Sequence, residues 1–291
     1  MGRPFAAVLS AERRMKVAFQ GELGAFSQQA ISQILGARAK PVPCQRFDEV
    51  FEALEKCRVH AAVTPIENTL YGSVHQNYDL LLKYDFTITA ETNVRIVHNV
   101  IAPPGTRLGQ VRRVYSHDVA LNQCLEFFRR YKSIESVPFY DTAGSVKMVM
   151  QERPAGAAAI ASALAAKIYG GQILKREIED DRQNYTRFFL LEKKGARPRH
   201  PKAAPSKVWK TSLVFSTRNV PGALFRALSA LALRDLNMTK LESRPLRGRP
   251  FEYMFYLDLI GRHDDAVVRN ALGHLGEVAD FLRVLGTYRA A

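Results

Sequence analysis

The sequence predicts an α/β protein made of two folded parts. From Lys16 to about Lys194, short β-branched or small-apolar runs alternate with stretches of helical periodicity. A lysine-, arginine- and proline-rich stretch then breaks both rhythms. Beyond it the order changes to strand, helix, strand, strand, helix, strand, which is the ferredoxin-like pattern of a compact second domain.

The elements follow from their residues. KVAFQG, from Lys16, reads as a strand ending in glycine, and Phe26, Ala30, Ile31 and Ile34 set a helical spacing behind it. Strand, glycine turn and a helix N-terminus carrying Ser27 form a candidate anion pocket, because unpaired backbone N–H groups point outward there. A helix around 48–57 precedes the strand AAVTPI, which runs into Glu67-Asn68-Thr69. β-Branched character returns at 86–90 and 96–102. RRVYS ends at Ser116-His117, ahead of a single helix through Leu121, Leu125 and Phe128. SVPFYD leads to Thr142 and a helix, and AAIAS to an alanine-rich helix from Ser162. This alternation argues for parallel sheets with ligands at the carboxyl ends of strands, where Ser27, Asn68, Ser116, Thr142 and Ser162 gather. In the second part, TSLVFSTR is a strand and Pro221-Gly222 starts the helix ALFRALSALALRD. LNMTKLESRP and FEYMFYLDLIG make a hairpin around Arg247-Gly248, followed by a helix and the final strand FLRVLGTYR.

The 291 residues carry 42 Lys and Arg against 28 Asp and Glu, a net charge of +14. Such a surplus raises nucleic acid or an anionic surface as a partner. Its distribution argues otherwise: residues 193–210 hold seven basic and no acidic residues with three prolines, while 17–192 stand at only +1. The basic stretch reads as a solvated linker, extended by proline and self-repulsion. Its one aromatic residue, Trp209, offers no stacking platform for single strands. Three cysteines without a C-x-x-C pair make neither a disulfide framework nor a zinc ribbon, and the scattered histidines suggest no metal site. The small-apolar run from Ala155 to Ala166 is too short to cross a bilayer, and the N-terminus is a poor secretory signal. A cytoplasmic protein with neither membrane nor nucleic-acid partner is expected.

VAFQGELGAFS, TPIENTLYGSVHQNYDLLL, YSHDVALNQC, YDTAGS, AAIAS and DDRQNYTRFFLL stand in the order found in prephenate dehydratases, and the chain resembles that family. The second block is similar also to arogenate dehydratases. GALF at 222–225 and ESRP at 242–245 resemble the phenylalanine-binding motifs of the ACT domain attached to such enzymes. The resemblance covers about residues 16–291. It implies a bilobal catalytic domain like a type II periplasmic binding protein at 16–194, with one lobe of 16–95 and 172–194 and another of 96–171. A basic linker at 195–209 and an ACT domain at 210–291 complete the implied organisation. Since no mutase segment precedes Lys16, a monofunctional enzyme is expected.

The implied activity is the cofactor-free conversion of prephenate to phenylpyruvate with loss of water and carbon dioxide, in phenylalanine synthesis. Two carboxylates must be held and a departing ring hydroxyl hydrogen-bonded, which favours donors and helix N-termini over a nucleophile. By the resemblance, Thr186 gives the hydrogen bond to the leaving group, Arg187 holds a carboxylate or orients its neighbours, and Phe188 packs the cleft wall. Glu67, Asn68, Thr69, Ser116, Gln123 and Thr142 belong to the pocket, with Ser27 at its rim. Gly222, Ala223, Leu224, Glu242, Ser243, Arg244 and Pro245 bind phenylalanine, the effector, in a homodimer or homotetramer. Taken alone, Glu67-Asn68 could cap a helix, His117 could be a loop histidine, and Gln123 could be merely exposed. Where the family has Ser-His-Pro-Gln, this chain has Ser116-His117-Asp118-Val119, placing a carboxylate near a dianion site unless Asp118 caps the next helix. Arogenate dehydratase and a non-catalytic amino-acid sensor remain the alternatives.

Overall fold

The computed structural model describes residues 14–195, 206–246 and 252–291. Their contacts divide into two compact units, one of residues up to 84 with 92–189, the other of 85–91 with 190–291. The N-terminal tail, most of the basic linker and the tip of the 247–248 hairpin lie outside the described residues.

The first unit has two lobes. Lobe one begins with β1 (Met15–Gln20), α1 (Phe26–Leu35), β2 (Ala39–Cys44), α2 (Phe47–Glu55), β3 (Ala61–Asn68), β4 (Gly72–Ser73) and α3 (His75–Lys83). β5 (Phe86–Arg95) then carries the chain out. Lobe two contains β6 (Asn99–Ala102), β7 (Arg113–Ser116), α4 (Asp118–Asn122), α5 (Leu125–Arg130), β8 (Glu135–Pro138), α6 (Thr142–Glu152), β9 (Ala157–Ala161), α7 (Ala163–Tyr169) and β10 (Gln172–Lys175). β11 (Tyr185–Lys193) returns to the first sheet, whose order is β2-β1-β3-β11-β5 with β4 beside β3. The second sheet runs β10-β6-β9-β7-β8. Two separate passages of chain therefore join the lobes, the arrangement of a type II periplasmic-binding-protein-like domain.

Those passages lie side by side. Ile96 N–H donates to Asn184 O at 2.8 Å, and Ile178 N–H to His98 O at 3.0 Å. Glu179, buried between them, accepts from His98 N–H at 2.9 Å and from Arg95 at 3.1 Å. A buried carboxylate is tolerable because it is paired and fully hydrogen-bonded.

Two expectations need correction. The sheets are not wholly parallel, since β6 pairs antiparallel with both β9 and β10 while β7 pairs parallel with β8 and β9. β6 starts at the cleft, next to His98, and must run away from it, whereas β7 and β9 run toward it. The helix expected through Leu121, Leu125 and Phe128 is broken into α4 and α5. Gln123 leaves helical geometry (ψ 0°), and the Asp180 carboxylate accepts from Leu125 N–H at 2.7 Å and Glu126 N–H at 3.0 Å, starting a new helix. The turn buries Phe127, not Phe128, against Val114, Leu121 and Ile160.

The second unit adds β12 (Trp209–Ser216), α8 (Ala223–Ala232), β13 (Met238–Pro245), β14 (Tyr253–Ile260), α9 (Ala266–Val278) and β15 (Phe281–Arg289). Its sheet order, β13-β14-β12-β15, is that of a ferredoxin-like fold, with β12 antiparallel to both neighbours. Leu213, Phe215 and Leu257 from the sheet meet Ala227, Leu231, Ala271 and Leu275 from the helices, a one-sided core of the kind alternating strands and 3.6-period helices bury. The Trp209 ring lies under the guanidinium groups of Arg289 (4.2 Å) and Arg262 (4.9 Å), so its face is used within this unit.

Candidate active site

A cavity of about 420 Å³ opens between the two lobes of the first unit. The strand ends and helix starts of both lobes converge on it, as expected at the carboxyl ends of strands. Lobe one contributes Gln20 after β1, Phe26 and Ser27 at the start of α1, and Asn68 at the end of β3. Lobe two contributes His117 and Val119 around the start of α4, Gln123, and Tyr140, Asp141 and Thr142 at the start of α6. The passages between the lobes add Ile96 and His98, and β11 adds Thr186. The lining residues include no Lys or Arg.

Thr186 is held from the neighbouring strand. Asn68 Oδ1 accepts from the backbone N–H groups of Leu70 and Tyr71 at 2.9 and 3.0 Å, which decides the amide's orientation. Its Nδ2 therefore faces β11, 2.9 Å from Thr186 Oγ1 and 2.8 Å from Asn184 Oδ1. The Thr186 hydroxyl accepts from Asn68 and keeps its own proton for an acceptor in the cavity.

Helix starts supply further donors. The N-cap of α1 is Ala25, with no side-chain cap; Gln28 N–H donates to Ala25 O at 3.0 Å, which leaves the N–H groups of Phe26 and Ser27 for an anion. α6 is capped by Asp141, whose Oδ1 accepts from Gly144 N–H at 2.7 Å. Burial raises the Asp141 pKa, opposed by the N–H groups that it accepts. His98 is buried, with its Nε2 2.8 Å from Gln123 Oε1, and desolvation lowers its pKa. Among the described residues, no group of three or more His, Cys, Asp or Glu is placed to hold a metal ion.

The structure brings Ser27, Asn68, Gln123, Thr142 and Thr186 together around the cavity and keeps the other pocket candidates off its lining. Ser116 is fully buried and donates to Ile160 O at 2.7 Å, tying β7 to β9. Thr69 Oγ1 donates to Gln183 O and accepts from Tyr185 N–H at 2.8 and 3.0 Å, anchoring the start of β11. Glu67 sits in register with Ser73 of β4. Arg187 alternates with Thr186 along β11 and so projects from the other face, where its guanidinium stacks 4.7 Å from the Phe189 ring. Phe188 is buried and is not among the residues that line the cavity.

Asp118 does not cap α4. His117 does, its Nδ1 accepting from Val119 N–H at 3.3 Å, and Asp118 sits exposed in the first turn, outside the cavity lining. The added carboxylate thus stabilises the helix start rather than opposing an anion. Gln123 is not an exposed helix residue, since it fills the α4–α5 break with its amide turned inward. His98, Asp141 and Tyr140 are lining residues that the sequence reading did not single out. The polar pair His98-Asn99 between the apolar pairs Ile96-Val97 and Val100-Ile101, and the D-T-A-G helix start, were the available signals.

In the second unit, Gly222 caps α8 in the left-handed region (φ +75°), with Ala223 and Leu224 following it. Glu242, Ser243, Arg244 and Pro245 lie on β13, at the edge of the sheet, with Glu242 and Arg244 half-buried and Ser243 and Pro245 exposed.

A bilobal cleft lined by hydroxyls, amides and helix starts, followed in the chain by a ferredoxin-like module, defines an α/β protein that encloses a small polar ligand. The prephenate dehydratase model matches residues 17–196 and the ACT domain model 211–277. The chain is 44% identical over 285 residues to arogenate dehydratase/prephenate dehydratase 2, chloroplastic, of Arabidopsis thaliana, spanning 94% of this chain and 73% of that one. The structure of prephenate dehydratase from Arthrobacter aurescens in complex with L-Phe superposes with a TM-score of 0.84 at 30% identity, over 95% and 90% of the two chains. GqqA, described as a novel type of quorum quenching acylase, gives the same TM-score at 34% identity, over 95% and 98%. The protein belongs to the prephenate dehydratase family, with an ACT domain attached.

Proposed function

We propose that this chain converts prephenate to phenylpyruvate through Thr186, and that phenylalanine binding to the ACT domain regulates the reaction. The observation that carries this reading is the hydrogen bond from Asn68 to Thr186 Oγ1, which leaves the threonine proton for the substrate. As the ring C–OH bond lengthens, the hydroxyl oxygen gains charge and the hydrogen bond from Thr186 strengthens. The bond from the ring to its carboxylate breaks at the same time, and its electron pair completes the aromatic ring. One proton is taken up; water and carbon dioxide leave. Ser27, Thr142 and the start of α1 hold the carboxylates in place of cations, which the lining residues do not supply.

Arogenate, with an ammonium where prephenate has a keto group, is the second reading. It is favoured by the Arabidopsis relative, which is named for both activities. Effector binding at Gly222–Leu224 and Glu242–Pro245, a homo-oligomer and a cytoplasmic location belong to the same proposal. The Arthrobacter structure, solved with L-Phe, supports the effector.

Steady-state assays of the purified chain on prephenate and on arogenate, each with and without phenylalanine, test the reading. Product from either substrate, with a rate that responds to phenylalanine, is expected. No turnover of both, together with hydrolysis of an N-acylated amine, would favour the activity attributed to GqqA instead.

A further inference from the structure

His98 stands at the junction of three parts of the first unit. Its backbone is fixed to the second passage between the lobes, through Glu179 Oε2 (2.9 Å) and Ile178 N–H (3.0 Å). Its ring packs edge-on against Phe26 of α1, with centroids 5.7 Å apart and planes at 82°. Its Nε2 lies 2.8 Å from Gln123 Oε1. The ring is 1% exposed, and its other nitrogen, Nδ1, is buried with no hydrogen-bond partner among the described residues.

A buried imidazole with one satisfied and one unsatisfied nitrogen is costly, on the order of 1–3 kcal/mol for the orphaned atom. An apolar side chain would fill the same space without that cost. The polar gain at this position is therefore the single bond to Gln123. Burial keeps the ring neutral, and in that form Nε2 carries the proton and Gln123 Oε1 accepts it. An amide whose oxygen is taken must present its NH₂ the other way. Gln123 itself lines the cavity, and its backbone carbonyl is anchored by Asp180 N–H at 2.8 Å. With backbone and amide oxygen both held, the NH₂ group is left as a directed donor.

We propose that His98 is a positioning residue of the dehydratase: by donating to Gln123 Oε1 it turns the Gln123 amide so that its NH₂ donates to a carboxylate of the bound substrate. His98 does not touch the substrate through a nitrogen, since Nε2 is engaged and Nδ1 is buried. Without His98 the amide is free to rotate, and it presents its oxygen to an anion part of the time. The expected signature is a rise in KM larger than the fall in kcat, because carboxylate binding is lost in ground and transition state alike.

The proposal rests on the dehydratase reading, so wild-type turnover of prephenate or arogenate is the control; if neither reacts, that reading fails and not the one for His98. On the better substrate, His98→Phe keeps the contact with Phe26 but removes the donor, and kcat/KM is expected to fall about tenfold, mostly through KM. His98→Gln places an N–H near the Nε2 position and should stay within about threefold of wild type. In a Gln123→Ala background, His98→Phe should cost no more than about twofold, because residues acting through one another are not additive. Independent, multiplicative losses in the double variant would overturn the proposal, as would a His98→Gln variant no better than His98→Phe. If His98→Phe does not fold, His98→Asn, too short to reach Gln123, replaces it with the same expected outcomes.

Discussion

Asn68 and Thr186 stand 118 residues apart in the chain, yet the amide nitrogen of one lies 2.9 Å from the hydroxyl oxygen of the other. The direction of that bond makes the threonine a donor to the cavity. An isosteric change that reverses it should therefore act like removal of the hydroxyl. Asn68→Asp turns the neighbour into an acceptor, which draws the Thr186 proton away from the substrate. Both Asn68→Asp and Thr186→Ala are expected to lower kcat on the order of 10²–10³-fold. Thr186→Ser should retain most activity, and the double variant should be no worse than either single one. Near-normal kcat in Asn68→Asp would remove the reason for calling this hydroxyl a directed donor.

Gly24 makes a close approach between the lobes. Its backbone is in the left-handed region (φ +95°), its carbonyl accepts from Ser162 Oγ at 2.7 Å, and a Cβ placed on it would lie 2.6 Å from Ala165 Cα. Nearby, Glu22 reaches Lys147 at 3.1 Å and Tyr140 at 3.1 Å in the other lobe. Gly24→Ala should raise KM several-fold and lower stability by about 1–3 kcal/mol, from backbone strain and the lost contact together. Ser162→Ala removes only a hydrogen bond and the cap of α7, and about 1 kcal/mol is expected. Urea unfolding and steady-state kinetics of the pair separate steric strain from the loss of the bond.

His98 should make the protein acid-sensitive. Burial lowers its pKa below the ordinary 6.5, so the unfolded chain takes up a proton at a pH where the folded chain does not. The unfolded state binds more protons, and stability falls as pH drops from about 6.5 through the lowered folded value. His98→Gln, which does not titrate, should lose less stability between pH 7.5 and pH 5.5 than wild type does. Urea midpoints at the two pH values provide the comparison, and equal losses would show that this ring is not a source of the acid sensitivity.

Within the second unit, Lys210 on β12 reaches Glu91 Oε1 at 2.8 Å, with side-chain exposures of 14% and 1%. The same oxygen accepts from Ala291 N–H at 3.0 Å. Removing the lysine strands a buried carboxylate, so Lys210→Met should destabilise this unit by about 3–5 kcal/mol. Adding Glu91→Gln should recover most of the loss, since the amide carries no charge. Thermal unfolding of the single and double variants measures both effects, and a Lys210→Met variant as stable as wild type would contradict the assigned burial.

Much of the architecture was legible because it rests on local periodicity. Phe26, Ala30, Ile31 and Ile34 announce α1, and the short apolar run Leu213-Val214-Phe215 in TSLVFSTR announces β12, without help from the rest of the chain. The break between α4 and α5 was not legible, because its cause is Asp180, far along the chain and invisible to any window around Gln123. The parallel reading of the second sheet failed at β6 for a related reason. Strand direction follows from where the chain enters a lobe, and composition does not record that.

The sequence by itself determined most of the order of the elements, the presence of two folded parts and the family. All three are carried by residue types at short spacing, and short spacing is what a local pattern can encode. Only the tertiary structure decided which polar groups meet. Thr186 and Arg187 are neighbours in the chain, but strand alternation sends one into the cavity and the other to the opposite face. Ser116 looked like a pocket hydroxyl and instead spends its proton on Ile160. His98 looked like nothing in particular, yet it lies in hydrogen-bond contact with Gln123. A side chain's role depends on the face it occupies and the partner waiting there, and both are settled by packing between segments distant in the chain.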